Sequence, residues 1–286
     1  MRLVLFEDGR GPRPGVLDGE DLIRDVGGQF ASLSAALAAA CDDPEGFRAV
    51  LARSAVVSRA QARLLAPVDR TAQVLCVAAN YREHAEEAGL GSAPPQPVLF
   101  VKLWTALASP EDPIRLSVLT GQLDYEAELV AVVGRIARAV TISDALRYIG
   151  GYTLMNDVTA RDLQWTQLGQ HRIVDWFSAK CLEGSTPVGP WIVTVDEIAD
   201  PQRLRIRSWV NGTLRQDAST ALMVHSVAAL VAYASTRTVL LPGDLIATGT
   251  PRGVGGFEGR FLQEGDVVEV EVEGVGRLAA RVRRAG

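Results

Sequence analysis

The segment "GQLDYEAELVAVVG", residues 121–134, carries acidic side chains at alternate positions ahead of an apolar run. Because side chains alternate between the two faces of a strand, Asp124, Glu126 and Glu128 share a face with Val130 and Val132. Two carboxylates about 4 Å apart repel by roughly 4 kcal/mol at an effective dielectric constant of 20. Such a face needs protonation, an Arg or Lys partner, or a hard cation. An edge strand with its acids in water, paired to arginine, is the alternative.

The segment "ANYREHAEEAGLG", residues 79–91, combines a histidine with several glutamates after a strand-like run. His84 and Glu87 are three residues apart, so they are neighbours if the segment is helical. A carboxylate beside an imidazole orients the ring and raises its basicity, which suits a general base. Spacing alone fits a solvated, charged helix better, so the catalytic interpretation needs further support.

The segment "GYTLMNDVTARDLQ", residues 151–164, predicts a strand that ends at Asn156–Asp157 and a short helix after it. Asp157 could add a third carboxylate to Glu126 and Glu128, and Arg161 and Gln164 would share one helix face. Taken alone, Asp157 is better explained as a helix N-cap.

Two further segments carry candidate groups. Only Lys102 and Lys180 are lysines among the 29 basic residues, and a Lys beside a metal could stabilise negative charge on a substrate oxygen. Lys180 could equally lie on the surface. In "IATGTPRGVGG" a strand runs into a glycine-rich turn without the order of a phosphate-binding loop. The hydroxyls of Thr248 and Thr250 could hold a substrate carboxylate, or the glycines could simply serve a tight turn.

The elements that would position these groups are mostly strands. Short apolar runs broken by Gly and Pro predict a mostly β domain over residues 67–286, with a hairpin at Asn211–Gly212. Residues 1–66 predict a small N-terminal α/β domain with a strand at Leu3–Phe6 and a helix near Ser32–Ala40.

Composition narrows the class of protein. The chain has 286 residues, 48% of them hydrophobic, and a formal charge of −5, which argues against nucleic acid or an anionic membrane as partner. No apolar run reaches about 18 residues, and the first residues are too short in apolar length for a signal peptide. Three scattered cysteines without a CxxC motif predict a reducing cytoplasm and no zinc site.

Taken in order, these segments resemble the fumarylacetoacetate hydrolase family. The resemblance covers about Leu64 to Leu278 and rests on "NYREHAEE", "DYEAEL", "NDVTARDLQ", a Lys before "PVGP", "VNGTLRQ" and "TGTPRGVG". It implies a mostly β (α+β) fold, a mixed β-sandwich roll with the small N-terminal α/β unit before it. It also implies a homodimer and a bound Mg²⁺, with Mn²⁺ or Ca²⁺ as alternatives.

The resemblance also implies roles for individual residues. The metal ligands would be Glu126, Glu128 and Asp157. The catalytic residues would be His84, Glu87 and Lys180. The substrate-binding residues would be Arg161, Gln164 and Thr250.

One segment departs from the family pattern. Where family members often read KxFDxFxPxGP, this chain reads "KCLEGSTPVGP", so Leu182, Glu183 and Ser185 replace two aromatic residues and an Asp. The lysine and the PxGP end are present, so the implied site is kept, but the substrate is not specified.

The activity implied by the resemblance is that of a divalent-metal-dependent hydrolase. It would cleave a C–C bond in a 1,3-diketo acid of the acylpyruvate, fumarylacetoacetate or fumarylpyruvate type, through a metal-bound enolate. The same intermediate serves a decarboxylase or isomerase of a 2-oxo dicarboxylic acid, of the oxaloacetate or 2-hydroxyhepta-2,4-diene-1,7-dioate type. A catalytically silent, ligand-binding relative is the alternative from another class of protein.

Overall fold

The N-terminal part of the chain forms five strands and two helices. The computed structural model describes residues 1–284. The first elements are β1 (Arg2–Glu7), β2 (Arg13–Asp18), β3 (Leu22–Asp25), α1 (Leu33–Asp42), α2 (Pro44–Arg53), β4 (Ala55–Ser58) and β5 (Arg63–Leu65). Ser32 caps α1 by accepting a hydrogen bond from the backbone N–H of Ala35, so the predicted helix is confirmed.

The rest of the chain consists mainly of strands. The central elements are β6 (Val74–Ala78), α3 (Arg82–Glu87), β7 (Val98–Val101), β8 (Leu107–Ala108), β9 (Ile114–Leu116), β10 (Leu123–Asp124), β11 (Ala127–Val133), β12 (Ile149–Asn156), β13 (Thr159–Ala160), β14 (Trp165–Leu168), β15 (His171–Val174), α4 (Trp176–Lys180) and β16 (Thr186–Thr194). The last elements are β17 (Arg205–Val210), β18 (Thr213–Ser219), α5 (Val227–Ser235), β19 (Leu245–Ala247), β20 (Val267–Val272) and β21 (Gly276–Arg284).

Two large mixed sheets pack against each other. The larger has the order β4-β3-β2-β1-β16-β12-β11-β19-β6-β7, with β5 beside β1 and β8 beside β16. The second has the order β18-β17-β20-β21-β9, and its strands β20 and β21 pack on β12. β10 pairs with β13, and β14 pairs with β15. The mostly β fold predicted from the sequence is confirmed.

Strand β11 lies at the centre of the larger sheet and is buried on both faces. Leu129 belongs to the core between the two sheets, which α5 completes, whereas Val130 belongs to the core beneath α1. This double burial explains the continuous apolar run in the sequence. An acidic side chain at the start of such a strand points into protein rather than water.

Several local predictions can be compared with the structure. The Asn211–Gly212 hairpin is confirmed: both residues have positive φ between β17 and β18. The single strand expected from Asp124 onward is interrupted between β10 and β11. The helix expected after Asp157 is replaced by β13 and a 3₁₀ turn at Arg161–Leu163, because Thr159 and Ala160 pair with β10.

The N-terminal strands β1 to β5 belong to the larger sheet. Strand β1 pairs antiparallel with β16, with Arg2 opposite Val193 and Leu3 opposite Ile192. The division of the chain into domains 1–66 and 67–286 stays a prediction. Among residues 1–284, no helix combines the length and the apolar character needed to cross a membrane.

Candidate active site

Three buried carboxylates meet where β11 begins and β12 ends. Glu126 immediately precedes β11, Glu128 is the second residue of β11, and Asp157 follows the last residue of β12. Each offers an oxygen within 4.8 Å of the others' oxygens, and all three residues are buried. The antiparallel pairing of Ala127 with Asn156 brings them together, because it aligns the two strand ends. We call these three residues the acidic triad.

Two buried lysines bind the acidic triad. Lys180 Nζ lies 2.8 Å from Glu126 Oε2 and 2.7 Å from Asp157 Oδ2. Lys102 Nζ lies 2.8 Å from Asp157 Oδ1 and also donates to Thr186 Oγ1 at 2.7 Å. The only two lysines of the chain are therefore both at this site, and the alternative that Lys180 lies on the surface is wrong.

Arg161 holds two carboxylates at once. Its Nε donates to Asp124 Oδ2 at 2.8 Å and its second terminal nitrogen to Glu126 Oε1 at 2.7 Å. Asp124 also accepts hydrogen bonds from the backbone N–H groups of Gly255 and Gly256, each at 2.8 Å. Asp124 therefore positions Arg161 rather than completing the triad.

The charges of this cluster do not balance. Four carboxylates, namely Asp124 and the acidic triad, face three cations, namely Arg161, Lys180 and Lys102. Among the described residues no Arg or Lys forms an ion pair with Glu128, which accepts a hydrogen bond from the backbone N–H of Gly249 at 2.9 Å. Glu128 is therefore the carboxyl group of this cluster without an ion-pair partner in the described residues.

The pKa values of the two glutamates are shifted in opposite directions. Burial alone raises the pKa of Glu126, but the charges of Lys180 and Arg161 outweigh it and lower the pKa to about 2. Burial, Asp157 and Glu126 together raise the pKa of Glu128 well above its ordinary value. Glu126 is therefore ionised, whereas Glu128 resists ionisation unless another positive charge is present.

The residues present fit a divalent cation. Asp157 Oδ1 is buried and makes no hydrogen bond among the described residues, although Lys102 lies within ion-pair distance. Glu128 forms no ion pair within residues 1–284, and the three oxygens of the triad are hard donors at mutual distances that one ion could bridge. The N-cap alternative for Asp157 is wrong, because its carboxylate contacts the two lysines.

Helix α3 places an imidazole beside a carboxylate. His84 Nδ1 lies 3.4 Å from Glu87 Oε2, and Glu87 accepts from the backbone N–H of Gly253 at 3.2 Å. His84 is only 8% exposed, whereas Glu83 and Glu86 on the same helix are exposed. The solvated-helix alternative therefore fails for His84. If Nδ1 donates to Glu87, the lone pair of Nε2 is available to take a proton.

The glycine-rich turn after β19 contacts the acidic triad through the backbone N–H of Gly249. Gly249 has φ +88°, and a Cβ there would lie 2.9 Å from Asn80 Cβ. The Thr250 hydroxyl donates to the Ala127 carbonyl at 2.9 Å and accepts from Gln216 at 2.8 Å. Thr248 is fully buried and donates to the Leu129 carbonyl, so of the two threonines Thr250 lines the cavity described next.

Most of the predicted site residues line one cavity of about 500 Å³. Its wall includes His84, Glu126, Glu128, Asp157, Arg161, Gln164, Lys180 and Thr250. Glu87 lies behind His84, away from the cavity wall. Eight of the nine predicted residues therefore line one cavity, and the ninth, Glu87, contacts His84. Their individual roles stay predictions.

The sequence interpretation missed other parts of the site. The sequence predicted no role for Lys102 or Asp124. The scarcity of lysine is the signal that could have placed Lys102 at the site. The sequence did not predict the β14–β15 hairpin, whose second strand begins at His171. Its strands are mostly exposed, so they lack the apolar alternation that predicts a strand.

Taken together, the fold and the site define a class: an enzyme-like β-sheet roll with a buried, metal-compatible carboxylate triad and a histidine in one cavity. The family model for the fumarylacetoacetate (FAA) hydrolase C-terminal domain matches residues 73–283. The chain belongs to the fumarylacetoacetate hydrolase family, as its sequence motifs predicted.

Individual relatives differ in the reactions their names give. The mitochondrial oxaloacetate tautomerase fahd2 of Xenopus laevis is 35% identical over 290 residues, which cover 98% of this chain and 89% of that protein. A structure of maleylpyruvate hydrolase from Sphingobium sp. SYK-6 with manganese(II) and pyruvate matches with a TM-score of 0.80 at 30% identity, over 100% of both chains. The 5-carboxymethyl-2-hydroxymuconate delta-isomerase of Mycobacterium smegmatis matches with a TM-score of 0.78 at 35% identity, over 100% of both chains.

Proposed function

We propose that the chain is a divalent-metal-dependent hydrolase that cleaves a C–C bond in a 1,3-diketo acid of the acylpyruvate type. The observation that carries this proposal is the position of His84: it lines the same cavity as the acidic triad and has Glu87 behind it. A general base beside a metal site suits the activation of water. The name of the maleylpyruvate hydrolase, whose structure contains manganese(II) and pyruvate, supports the same reaction class.

The cation would be held by Glu126, Glu128 and Asp157. When bound there, it would supply Lewis-acid polarisation of a substrate carbonyl. We propose Mg²⁺ as the ion, with Mn²⁺ or Ca²⁺ as alternatives, because the ligands are all carboxylates. Replacing Glu126 with Ala should abolish turnover and metal-induced stabilisation together, and retained turnover would contradict the proposed ligand set.

His84 is the base in this mechanism because Lys180 is not suited to the role. Burial lowers the pKa of the Lys180 ammonium, but Asp157 and Glu126 outweigh this effect and raise the pKa above its ordinary value. Lys180 therefore stays protonated near neutral pH. His84 Nε2 takes a proton from water, and the resulting hydroxide attacks the carbonyl carbon farther from the substrate carboxylate.

The remaining residues stabilise the charge that develops afterwards. The C–C bond breaks, its electron pair becomes the enolate of a 2-oxo acid, and the hydroxide oxygen stays on the released acid. The positive charges of Lys180 and Arg161 lower the energy of the enolate. The imidazolium of His84 then returns its proton to the enolate carbon. We assign Gln164 and Thr250 to hydrogen bonds with the substrate, because both line the cavity.

The test follows the absorbance of the enol form of acetylpyruvate with Mg²⁺ and then with EDTA. Metal-dependent loss that yields pyruvate and acetate in equal amounts is the expected result. If the protein binds Mg²⁺ but neither acetylpyruvate nor a bulkier acylpyruvate is hydrolysed, the hydrolase proposal is wrong.

Tautomerisation or decarboxylation of a 2-oxo dicarboxylic acid is the second candidate. It is favoured by the similarity of nearly the whole chain to a protein named oxaloacetate tautomerase. The same enolate forms without attack by water. Decay of enol-oxaloacetate absorbance, with pyruvate measured separately, distinguishes tautomerisation from decarboxylation.

The homodimer and the cytoplasmic location stay predictions. Light scattering on purified protein tests the first, and imaging of a tagged chain in its native host tests the second.

A further inference from the structure

The β14–β15 hairpin contributes one of its faces to the active-site cavity. Trp165 pairs with Val174, and Gln167 pairs with Arg172, so these four side chains share a face. Trp165, Arg172 and Val174 all line the cavity, whereas His171 on the other face does not. The alternation of the strand therefore places Arg172, which is exposed to solvent, on the cavity side of the hairpin.

Arg172 differs from the other cations of the cavity because it has no anionic partner. Arg161 and Lys180 are each held by two carboxylates. Arg172 forms no ion pair and no side-chain hydrogen bond with any residue in the range 1–284. Its guanidinium lies 4.7 Å from the centre of the Trp165 ring, which restricts its position without neutralising its charge.

The wall of the cavity that Arg172 lines includes several aromatic rings. Phe100 and Trp176 stack with ring centres 4.6 Å apart and an interplanar angle of 8°. Phe257 and Trp165 line the same cavity. Flat apolar surfaces of this kind suit an extended conjugated chain, such as an enolised diketone joined to an unsaturated acyl group. They offer no anionic partner for a guanidinium, so the charge of Arg172 is available to the ligand.

We propose that Arg172 binds a second carboxylate of the substrate, at the end remote from the 2-oxo acid, so that the substrate is a diacid. This inference rests on the proposed function and specifies its substrate class. The planar guanidinium accepts a carboxylate through two parallel hydrogen bonds, and its contact with Trp165 limits the conformational entropy lost on binding. The acyl part would lie along the aromatic wall, between the acidic triad and Arg172.

The test compares fumarylpyruvate, a diketo diacid, with benzoylpyruvate, which lacks the second carboxylate. The measured quantity is the ratio of kcat/KM for the two compounds in the Mg²⁺-loaded protein. Arg172→Met, which keeps an apolar chain over Trp165, should lower this ratio about 10- to 100-fold. Arg172→Lys should recover part of the loss, because it restores the charge without the planar pair of donors. His171→Ala, on the other face of the hairpin, should leave the ratio unchanged.

The outcomes separate this inference from the proposed function. Hydrolysis with an unchanged ratio in Arg172→Met overturns the role of Arg172 and leaves the hydrolase proposal standing. If neither compound is hydrolysed, the hydrolase proposal fails, and calorimetric titration of both compounds into the Mg²⁺-loaded proteins decides the role of Arg172. A loss of diacid affinity of about tenfold or more in Arg172→Met supports the role. Equal diacid affinity in the wild type and Arg172→Met, or no binding of the diacid to the wild type, overturns it.

Discussion

At the scale of the residue, Glu128 is the member of the acidic triad that forms no ion pair with an Arg or Lys in the part of the chain that the structure describes. Its pKa is raised by burial, by Asp157 and by Glu126. A group with a higher pKa in the folded state binds more protons there, so the folded protein loses stability as the pH rises from about 4.5 through the raised pKa. We therefore expect Glu128→Gln to raise the melting temperature of the metal-free protein at about pH 8, with a smaller gain near pH 5.

The control for Glu128→Gln is Glu126→Gln, the same substitution two residues away. Glu126 forms ion pairs with Lys180 and Arg161, and its pKa is lowered to about 2. Its contribution to stability is present above about pH 4.5 and is lost as the pH falls toward 2. Breaking this buried network should destabilise the protein by about 3–5 kcal/mol at neutral pH. If the melting temperature in EDTA falls equally in both variants, the expected difference between Glu128 and Glu126 is wrong.

His84 gives the second prediction at this scale. His84→Gln removes the base that Glu87 contacts at 3.4 Å but leaves the acidic triad intact. We expect kcat for acetylpyruvate to fall about 10²- to 10⁴-fold, which is typical of general-base removal. Calorimetric titration with Mg²⁺ should give an affinity close to that of the wild type. Turnover within a factor of three of the wild type would assign the base to another group.

At the scale of the element, the backbone conformation of the turn after β19 positions a hydrogen-bond donor to the acidic triad. Gly249 has φ +88° and donates its backbone N–H to Glu128 at 2.9 Å. A Cβ there would contact Asn80 at 2.9 Å and the Val77 carbonyl at 3.1 Å, so Gly249→Ala must shift the turn. We expect it to lower both the melting temperature and the affinity for Mg²⁺.

Gly259→Ala is the matched control for Gly249→Ala. Gly259 has φ +66°, and no atom lies within 4 Å of a Cβ placed there. This variant carries the cost of the left-handed backbone, about 1–2 kcal/mol, without the clash. Differential scanning calorimetry with and without Mg²⁺ compares the two variants. Equal losses of Mg²⁺ affinity would show that the position of Gly249 beside Glu128 has no special importance.

The same scale shows which parts of the site could be predicted from the sequence. Alternation along an extended segment is a local property, so the shared face of Glu126 and Glu128 was predictable from spacing. The pairing of Lys102 with Asp157 depends on folding together segments 55 residues apart, and no spacing rule describes it. The interruption before β11 was also unpredictable, because Asp124 turns to accept hydrogen bonds from the distant Gly255 and Gly256.

At the scale of the whole molecule, the ordered motifs were sufficient to predict the family and the mostly β fold. They were not sufficient to predict how the N-terminal strands join the rest. Strands β1 and β16 come from opposite sides of the proposed boundary at residue 67, and their pairing is a long-range contact that leaves no periodic signal in either segment. The substrate was unpredictable for a similar reason, since the hairpin that carries Arg172 has mostly exposed strands.

The shared core predicts cooperative unfolding of the whole chain. Leu3 on β1 is fully buried in a cluster that also contains Leu37 of α1 and Val188 of β16. Leu3→Ala should therefore destabilise the entire protein by about 2–5 kcal/mol. Leu22→Ala, at a leucine that is 41% exposed on the same N-terminal sheet, should change stability by no more than about 0.5 kcal/mol. Calorimetry of the wild type should show one unfolding transition. Leu3→Ala should lower the midpoint of that single transition, and it should lower the temperature at which Mg²⁺ binding is lost by the same amount. Two transitions, with only the lower one moved, would show that residues 1–66 fold independently.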